Sequence, residues 1–346
     1  MVTLTNLIPS MLRTANHVPP EYLDPRIESL PPPPPPQGDF SGRLDGVIVM
    51  VSAGYEYLAK ACCASIRQSL GEIPITLLVN GSDTDTAELL RLPKVGRIVA
   101  QEAAGVEAEQ LWAGFWAKLL VHWISPYERF LYLDADALIW GDVRAYAEFD
   151  QYDFIAGYRF KSPIRYETRE EVQQSVFDVD AIRQFDPALD WRGQEAANAG
   201  VFFARRGVFA KEQLVALRQL DCWRCYDNGV LNYLLWRASR EGVPRIGGHR
   251  LQLFPAEPSC NLEDRFLPRD CKRPVVIHWV TKKPRLGRRY RAADDYRKLF
   301  LKMTGRSKWL GLRLVLEDLN VWFRRRKRSV IKRLRRNAQI PNKLSP

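Results

Sequence analysis

The segment RFLYLDADALIWGDV, residues 129–143, carries the strongest local signal in the chain. An apolar run over 130–133 ends in Asp134 and Asp136, which one alanine separates. Two carboxylates this close repel each other unless a cation, water or hydrogen-bond donors compensate their charge. The apolar run predicts a buried strand, so the pair marks a strand end where negative charge must be accommodated.

Strand-like and helix-like segments alternate from Gly46 onward. The strand-like segments are 46–52, 74–80, 95–100 and 130–133, and the helix-like ones are 56–70, 85–92 and 109–124. This alternation predicts an α/β fold with a mostly parallel central sheet flanked by helices. Ligands of such sheets bind beyond the carboxyl ends of the strands, which is where the two aspartates stand. The second half is more mixed, with strands predicted in 152–160, 197–206 and 275–280 and helices in 207–219 and 227–239.

Composition divides the chain into three parts. Residues 1–40 form a tail ending in the polyproline spacer 31–36, 41–300 form the α/β domain, and 301–346 form a basic extension. No apolar run approaches the ~18–20 residues that span a bilayer. The N-terminus lacks the basic start and apolar core of a secretory signal, so we expect a cytoplasmic protein.

Two common site types are not supported by the sequence. No GxGxxG follows the first predicted strand, where Ser52 to Tyr55 stand instead, which argues against a dinucleotide fingerprint. The six cysteines do not resemble a disulfide framework. The spacing of Cys222, Cys225, Cys260 and Cys271 fits no familiar zinc site, and we interpret the cysteines as mostly buried thiols.

The context of the aspartate pair favours a metal site. Carboxylate oxygens suit a hard divalent ion such as Mg²⁺ or Mn²⁺, which commonly also binds substrate phosphates. The acid and base of a hydrolase usually sit further apart than these two residues. Asp178 and Asp180 have the same spacing, but no strong strand precedes them, so we interpret that pair as a solvated surface feature.

Four motifs in order resemble glycosyltransferase family 8, which has the GT-A fold and includes glycogenin and lipopolysaccharide galactosyltransferases. WAKLLVHWISPYERFLYLDADALIWGDV (116–143) resembles the family core, with Lys118 sixteen residues before the first aspartate. The later motifs are AANAGVFF (196–203), YDNGVLN (226–232) and IHWVTKKP (277–284). The resemblance covers about residues 45–285.

The resemblance implies a role for each matching residue. Asp134, Ala135 and Asp136 would bind the donor, and His278 would join the two aspartates in holding Mn²⁺ or Mg²⁺. Lys282 or Lys283 would reach the diphosphate. The residues expected at the nucleoside are Ser52, Tyr57 and, as an alternative stacking partner, Tyr55. The residues expected around the transferred sugar are Lys118, Asn198, Asp227 and Asn228.

The sequence departs from the family pattern at three places. Asn228 stands where the family usually has glutamine, Thr281 replaces a glycine, and Ala53 to Tyr55 replace Thr-Asn-Asp. Simpler interpretations also stay open for single residues. His278 would then be a core histidine, Lys118 the polar edge of a helix, Asn198 a turn residue, and Asp227 with Asn228 a helix N-cap.

The positive charge is concentrated at the C-terminus. The net charge is +12, and residues 306–336 carry twelve Lys/Arg against two acids, whereas the rest of the chain is nearly balanced. Trp309, Leu312, Leu316, Leu319 and Phe323 recur at helical spacing. A basic amphipathic helix of this kind suits an anionic membrane surface or docking onto the catalytic domain; nucleic acid is not the expected ligand.

Taken with the resemblance, these features predict a metal-dependent glycosyltransferase, and the resemblance implies that it retains the configuration of the transferred sugar. It would move a hexose from a nucleotide sugar, a UDP-sugar by the resemblance, to a hydroxyl of a saccharide or glycolipid, peripherally at the cytoplasmic membrane face. The alternatives are a non-catalytic relative that binds sugar nucleotides or glycans, and a nucleic-acid-binding protein with a basic tail.

Overall fold

A computed structural model of the protein describes residues 39–81, 83–104, 114–159, 165–254, 274–280 and 291–338. The polyproline spacer therefore lies outside the described residues, as do Cys260, Cys271, Lys282 and Lys283. Within the described ranges, no helix has both the length and the apolar character needed to cross a bilayer.

Eleven strands and nine α-helices occur within the described ranges. The strands are β1 Gly46–Ser52, β2 Ile75–Asn80, β3 Val95–Val99, β4 Arg129–Asp134, β5 Ala137–Trp140, β6 Phe154–Arg159, β7 Arg165–Tyr166, β8 Gln194–Glu195, β9 Val201–Arg205, β10 Ile246–Leu253 and β11 Val275–His278. The helices are α1 Glu56–Leu70, α2 Ala100–Ala104, α3 Val121–Ile124, α4 Arg169–Ser175, α5 Val179–Phe185, α6 Lys211–Gln219, α7 Tyr226–Glu241, α8 Arg291–Met303 and α9 Leu310–Ala338. Four 3₁₀ helices add Ser41–Arg43, Leu89–Arg91, Gly114–Leu120 and Val143–Tyr146.

Nine strands form one sheet in the order β3-β2-β1-β4-β9-β6-β10-β11-β5. Five of its neighbouring pairs are parallel, and the pairs β4–β9, β6–β9 and β5–β11 are antiparallel. The predicted mostly parallel sheet flanked by helices is therefore confirmed.

The connection from β4 to β5 requires this sheet to curl. The two strands are fourth and ninth in the sheet, which in a flat sheet would place them about 24 Å apart. Only Ala135 and Asp136 join them, and such a link spans at most about 11 Å. The curl brings the far edge back to the end of β4. Because His278 pairs with Ala137 in the β5–β11 ladder, it is carried to the aspartates as well.

Buried side chains cover both faces of the sheet. Along β1, Val47, Val49 and Val51 belong to one apolar cluster, and Ile48 and Met50 belong to the other. The first cluster contains α1 and α8, and the second contains the 3₁₀ helix at 114–120 and α7. This alternation explains why the β1 sequence is apolar throughout rather than amphipathic.

Two predicted helices are shorter in the structure. The segment 85–92 contains only the 3₁₀ helix Leu89–Arg91, because the Asp85 side chain accepts a hydrogen bond from the Ala87 N–H, a local bond that competes with helix formation. In the segment 109–124, the described part is a 3₁₀ helix followed by the single turn α3. Gly114, at φ 66°, adopts a non-helical backbone where this part begins.

Candidate active site

The aspartate pair lies at the carboxyl end of β4, beside the end of β1. Asp134 is the last residue of β4 and is in register with Met50 of β1. Asp136 follows in the turn and is 6% exposed. The Asp134 backbone N–H donates to the Gly200 carbonyl at 2.8 Å, which fixes the turn against the segment before β9.

His278 faces both carboxylates. Its Nε2 lies 3.3 Å from Asp136 Oδ1 and 3.7 Å from Asp134 Oδ2. One ligand atom from each of the three side chains lies within 4.8 Å of the others, and no other group of three or more such residues occurs in the described ranges. Two carboxylates and one imidazole form a donor set that fits a divalent ion such as Mn²⁺.

Gln252 orients the histidine ring. The Gln252 Oε1 lies 3.0 Å from His278 Nδ1, and both residues are buried. This contact holds the ring so that Nε2 faces the two aspartates, the orientation in which it could serve as a metal ligand. A hydrogen bond to the ring nitrogen that does not face the ion is typical of metal-ligating histidines. The alternative of a core histidine accounts for the burial of His278 but not for its two carboxylate neighbours.

Gly200 provides the space in which the ligands meet. A Cβ atom at this position would lie 2.2 Å from His278 Cε1, 2.8 Å from Asp134 Oδ2 and 2.9 Å from Asn198 Oδ1. A side chain of any size would therefore occupy the space that the three groups share. The glycine in AANAGVFF is required for this close approach rather than for backbone freedom.

Lys118 connects the metal-site candidate to α7. Its ammonium lies 2.8 Å from Asp227 Oδ2 and 3.3 Å from Asp134, and the lysine and Asp227 are both buried. Burial lowers the pKa of Lys118, but Asp134 and Asp227 outweigh it, so that pKa is raised. Burial raises the pKa of Asp227, and Lys118 opposes this rise. Lys118 is thus a buried, paired cation, and its interpretation as a polar helix edge is wrong.

The segment 196–200 is attached to the first turns of α7 by two asparagines. The Ala199 N–H donates to Asn228 Oδ1 at 2.9 Å. Asn232 Oδ1 accepts from the Ala197 N–H at 2.7 Å, and its Nδ2 donates to the Ala197 carbonyl at 3.0 Å. Both polar groups of the Ala197 backbone are therefore satisfied by a single side chain.

The simpler interpretations of Asn198 and of Asp227 with Asn228 have different outcomes. Asn198 Oδ1 accepts from the Gly200 N–H, so Asn198 is a turn residue as well as a cavity residue. Helix α7 begins at Tyr226 after Cys225, which places Asp227 and Asn228 inside the first turn rather than at the N-cap. The N-cap interpretation is therefore wrong.

A cavity of about 1310 Å³ opens in front of these groups. This volume exceeds the ~300–1,000 Å³ of a typical single-ligand pocket. Its lining includes all four residues expected around the sugar together with two of the three metal-ligand candidates, namely Lys118, Asn198, Asp227, Asn228, Asp134 and His278.

The residues expected at the nucleoside are not part of this lining. Tyr57 is 2% exposed, and its ring lies 5.1 Å from the Arg297 guanidinium, on the side of α1 that faces the C-terminal helices. Ser52 Oγ accepts from Asn80 Nδ2 at the end of β1, and Tyr55 immediately precedes α1. Ala135 is 7% exposed in the β4–β5 turn. Lys282 and Lys283 lie outside the described residues.

The second aspartate pair has a different environment. Asp178 is the N-cap of α5 and accepts from the Asp180 and Ala181 N–H groups. Asp180 is exposed. Identical spacing therefore yields a helix cap in one place and a ligand cluster in the other.

Three positioning residues had no predicted role in the sequence. Gln252 has no local signal, because its partner is 26 residues away. Tyr132, whose hydroxyl donates to Asp134 Oδ1 at 2.9 Å, belongs to the buried strand run. Asn232 ends the YDNGVLN motif, and its position one helical turn after Asn228 is the signal that could have identified it.

Comparison with known proteins finds similarity in the fold but none in the sequence. No model of a known protein family matches the sequence, and no curated protein matches it. The bifunctional glycosyltransferase WbbM superposes with a TM-score of 0.52 at 12% identity, covering 79% of this chain and 51% of WbbM. The chain has a GT-A glycosyltransferase fold. It spans about half the length of WbbM. The fold implied by the resemblance is thus confirmed.

Two further GT-A structures superpose less closely. The galactosyltransferase LgtC, in complex with donor and acceptor sugar analogues, gives a TM-score of 0.46 at 15% identity over 74% of this chain and 95% of LgtC. GlyE from Streptococcus pneumoniae gives 0.45 at 13% identity over 78% of this chain and 64% of GlyE.

Proposed function

We propose that this GT-A protein is a metal-dependent, retaining glycosyltransferase that moves a hexose from a UDP-sugar to an acceptor hydroxyl. The observation that carries the proposal is the group of Asp134, Asp136 and His278 at the rear of a large cavity. Asp134 and His278 line this cavity, so a bound ion would face the donor diphosphate.

The proposed roles combine the contacts of the described side chains with the roles that the family resemblance implies. Asp134, Asp136 and His278 would hold Mn²⁺ or Mg²⁺, and such an ion neutralises charge on a leaving diphosphate. Lys118 stays protonated between Asp134 and Asp227 and orients both carboxylates. Asn198 and Asn228 present their amides to the cavity for sugar hydroxyls. Lys282 or Lys283 is proposed to contact the diphosphate, and Ser52 and Tyr55 the nucleoside, whereas Tyr57 is buried against Arg297.

The proposed acceptor is a saccharide or a lipid-linked saccharide, and the proposed location is the cytoplasmic face of a membrane. The basic residues of 306–336 support a location at an anionic membrane surface.

A non-catalytic relative that binds sugar nucleotides is the second candidate. It is favoured by one contact, because Asn228 Oδ1 already accepts the Ala199 N–H and so is engaged in holding the 196–200 segment. Such a protein would bind donors in the same cavity without turning them over.

Thermal shift with Mn²⁺ and a panel of nucleotide sugars tests both candidates, because a ligand that binds only the native state raises the melting temperature. We expect stabilisation by Mn²⁺ plus a UDP-hexose, loss of it in Asp136→Asn, and no loss in Asp178→Asn, which retains a good N-cap residue. Donor hydrolysis or transfer then identifies the enzyme; binding without turnover identifies the binding protein. Full metal-dependent stabilisation of Asp136→Asn would disprove the site.

A further inference from the structure

Helix α9 presents an apolar face to solvent. Its exposed large apolar side chains, together with the tryptophan just before the helix, are between 41% and 70% exposed, and they are Trp309, Leu312, Val315, Leu316, Leu319, Trp322, Phe323 and Val330. The spacing of 312, 316, 319, 323 and 330 follows the helical repeat, so these residues share one side. We call the eight exposed apolar residues together the outer face. From 312 to 330 it extends for about 27 Å.

The opposite side of α9 is docked on the protein. Leu314 is 1% exposed, and Leu310 and Val321 pack against the same core cluster. Glu317 and Asp318 accept hydrogen bonds from Arg297 of α8 at 2.8 and 2.9 Å. Glu317 is also paired with Lys60 of α1. The helix is therefore fixed to the α/β domain, and its outer face is exposed within the part of the chain that the structure describes.

This docking removes the only acidic residues of α9 from the outer face. The helix carries ten Lys/Arg and two acids, Glu317 and Asp318, both of which are paired with Arg297. Arg326 and Lys327 are exposed near the end of the outer face, and the Arg326 guanidinium lies 5.2 Å from the Trp322 ring. The outer face thus combines apolar side chains with exposed positive charge.

We propose that the outer face of α9 is the surface by which the protein lies on an anionic lipid bilayer, parallel to the membrane plane. This inference deepens the membrane location in the proposed function and rests on it, but it is independent of the transfer chemistry. Leucine, valine, tryptophan and phenylalanine enter the headgroup–acyl boundary, and arginine and lysine pair with lipid phosphates. Nucleic acid offers the phosphates but no apolar surface to cover leucine and valine.

The direction of α9 links this surface to the cavity. Glu317 contacts Lys60 in α1, and seven residues later Arg324 lies 3.5 Å from Glu56 at the start of α1. The two helices are therefore antiparallel, and α9 runs towards the edge of the sheet where β1 and β4 end. Membrane contact would accordingly hold the edge that carries Asp134 near the bilayer, as an acceptor linked to lipid requires.

Sedimentation of the full chain with vesicles tests the proposal. We expect binding to vesicles of phosphatidylcholine with phosphatidylglycerol and little binding to phosphatidylcholine alone. Leu319→Glu with Phe323→Glu should weaken partitioning at least about tenfold, since both side chains lose their apolar insertion. Arg326→Gln and Lys327→Gln should each weaken it roughly fivefold at low salt and less at high salt.

The matched control is Phe185→Glu, which changes an aromatic residue that is 45% exposed on α5 and should leave vesicle binding intact. Stabilisation by Mn²⁺ and donor, measured without vesicles, should be the same in the Leu319→Glu/Phe323→Glu variant as in the wild type. This measurement tests the transfer proposal separately from the membrane proposal, so a failure of one is distinguished from a failure of the other. The proposal is overturned if the wild type does not bind anionic vesicles or if the double variant binds them equally well. It is also overturned if the outer face proves to be a dimer interface in light scattering without vesicle binding, or if oligonucleotides bind the segment in preference to vesicles.

Discussion

At the scale of the residue, Gly200 controls how closely the ligand candidates approach one another. His278 Cε1, Asp134 Oδ2 and Asn198 Oδ1 all lie within 2.9 Å of the position that its Cβ would take. The residue has no positive φ, so its requirement is for space alone. A methyl group here must displace the histidine or the aspartate.

Gly200→Ala should therefore lower the free energy of unfolding by about 1–3 kcal/mol, the usual cost of overpacking, and should abolish stabilisation by Mn²⁺. Gly96→Ala in β3 is the control, because nothing lies within 4 Å of its Cβ position. Its stability should change by no more than about 0.5 kcal/mol. Denaturant melts with and without Mn²⁺ measure both effects. A full Mn²⁺ response in Gly200→Ala would contradict the geometry described here.

The residues of the site were predictable to different degrees. Asp134 and Asp136 follow from strand context, and Lys118, Asn198 and His278 from ordered motifs. Gln252 was not predictable, because it acts only through a partner on a neighbouring strand, and its own surroundings in β10 carry no pattern. Tyr57 was expected at the nucleoside from its place near the end of β1, but helical geometry directs its ring towards Arg297 instead.

At the scale of the element, α7 and the 196–200 segment form one unit. Asn228 and Asn232, one helical turn apart, hold the backbone of Ala199 and Ala197. This attachment places Asn198 at the cavity and Gly200 beside His278. The helix therefore positions two parts of the site without directing most of its own side chains at them.

Asn232→Ala should lower the free energy of unfolding by about 1–3 kcal/mol, because the buried N–H and carbonyl of Ala197 lose their partners. It should also weaken donor binding, since Asn198 is released. Ser239→Ala, on the same helix, removes only the part-buried local bond that this exposed serine donates to the Leu235 carbonyl, and should be nearly neutral. Urea melts and donor titration are the measurements. Equal stability of the two variants would show that the attachment is dispensable.

Most elements were predictable because their burial pattern is local. The apolar run of β1 and the small, apolar face of α1 predicted both elements with their observed bounds. The 3₁₀ helices at 89–91 and 114–120 were not predictable. The first depends on the hydrogen bond from the Ala87 N–H to the Asp85 side chain, and the second begins at Gly114 with its positive φ. The spacing of apolar residues indicates neither feature.

At the scale of the whole molecule, Arg297 joins the C-terminal helices to the α/β domain. It is 1% exposed and is paired with Asp294, Glu317 and Asp318. Burial lowers the pKa of Arg297, but the carboxylates outweigh it, so that pKa is raised. The arginine is thus charged at every working pH and pairs with three acids, of which Glu317 is also paired with Lys60.

Arg297→Gln should cost about 3–5 kcal/mol of unfolding free energy, because it removes a buried cation that pairs with three carboxylates. Lys298→Gln, the adjacent residue, removes only an exposed pair with Asp295 and should cost less than about 1 kcal/mol. Guanidinium melts give the difference, and limited proteolysis should show earlier cleavage in α9 for Arg297→Gln. If both variants show the proteolysis pattern and the unfolding free energy of the wild type, Arg297 is not needed to hold α9 on the domain.

The sheet order was the least predictable feature of the molecule. The alternation of elements predicted a parallel sheet, but it contains no information on which distant strands become neighbours. That β5 lies beside β11, after a two-residue turn from β4, depends on the packing of the entire sheet.

The curl of the sheet also determines when in folding the site can form. Asp134 and Asp136 are close from the start, but His278 lies more than 140 residues further along the chain and meets them only once β11 has paired with β5. Contacts of such long sequence separation form slowly and late, because loop closure must precede them. In refolding experiments, the ability to bind Mn²⁺ should therefore recover later than the helical circular-dichroism signal. Mn²⁺ binding would thus report the pairing of β11 with β5.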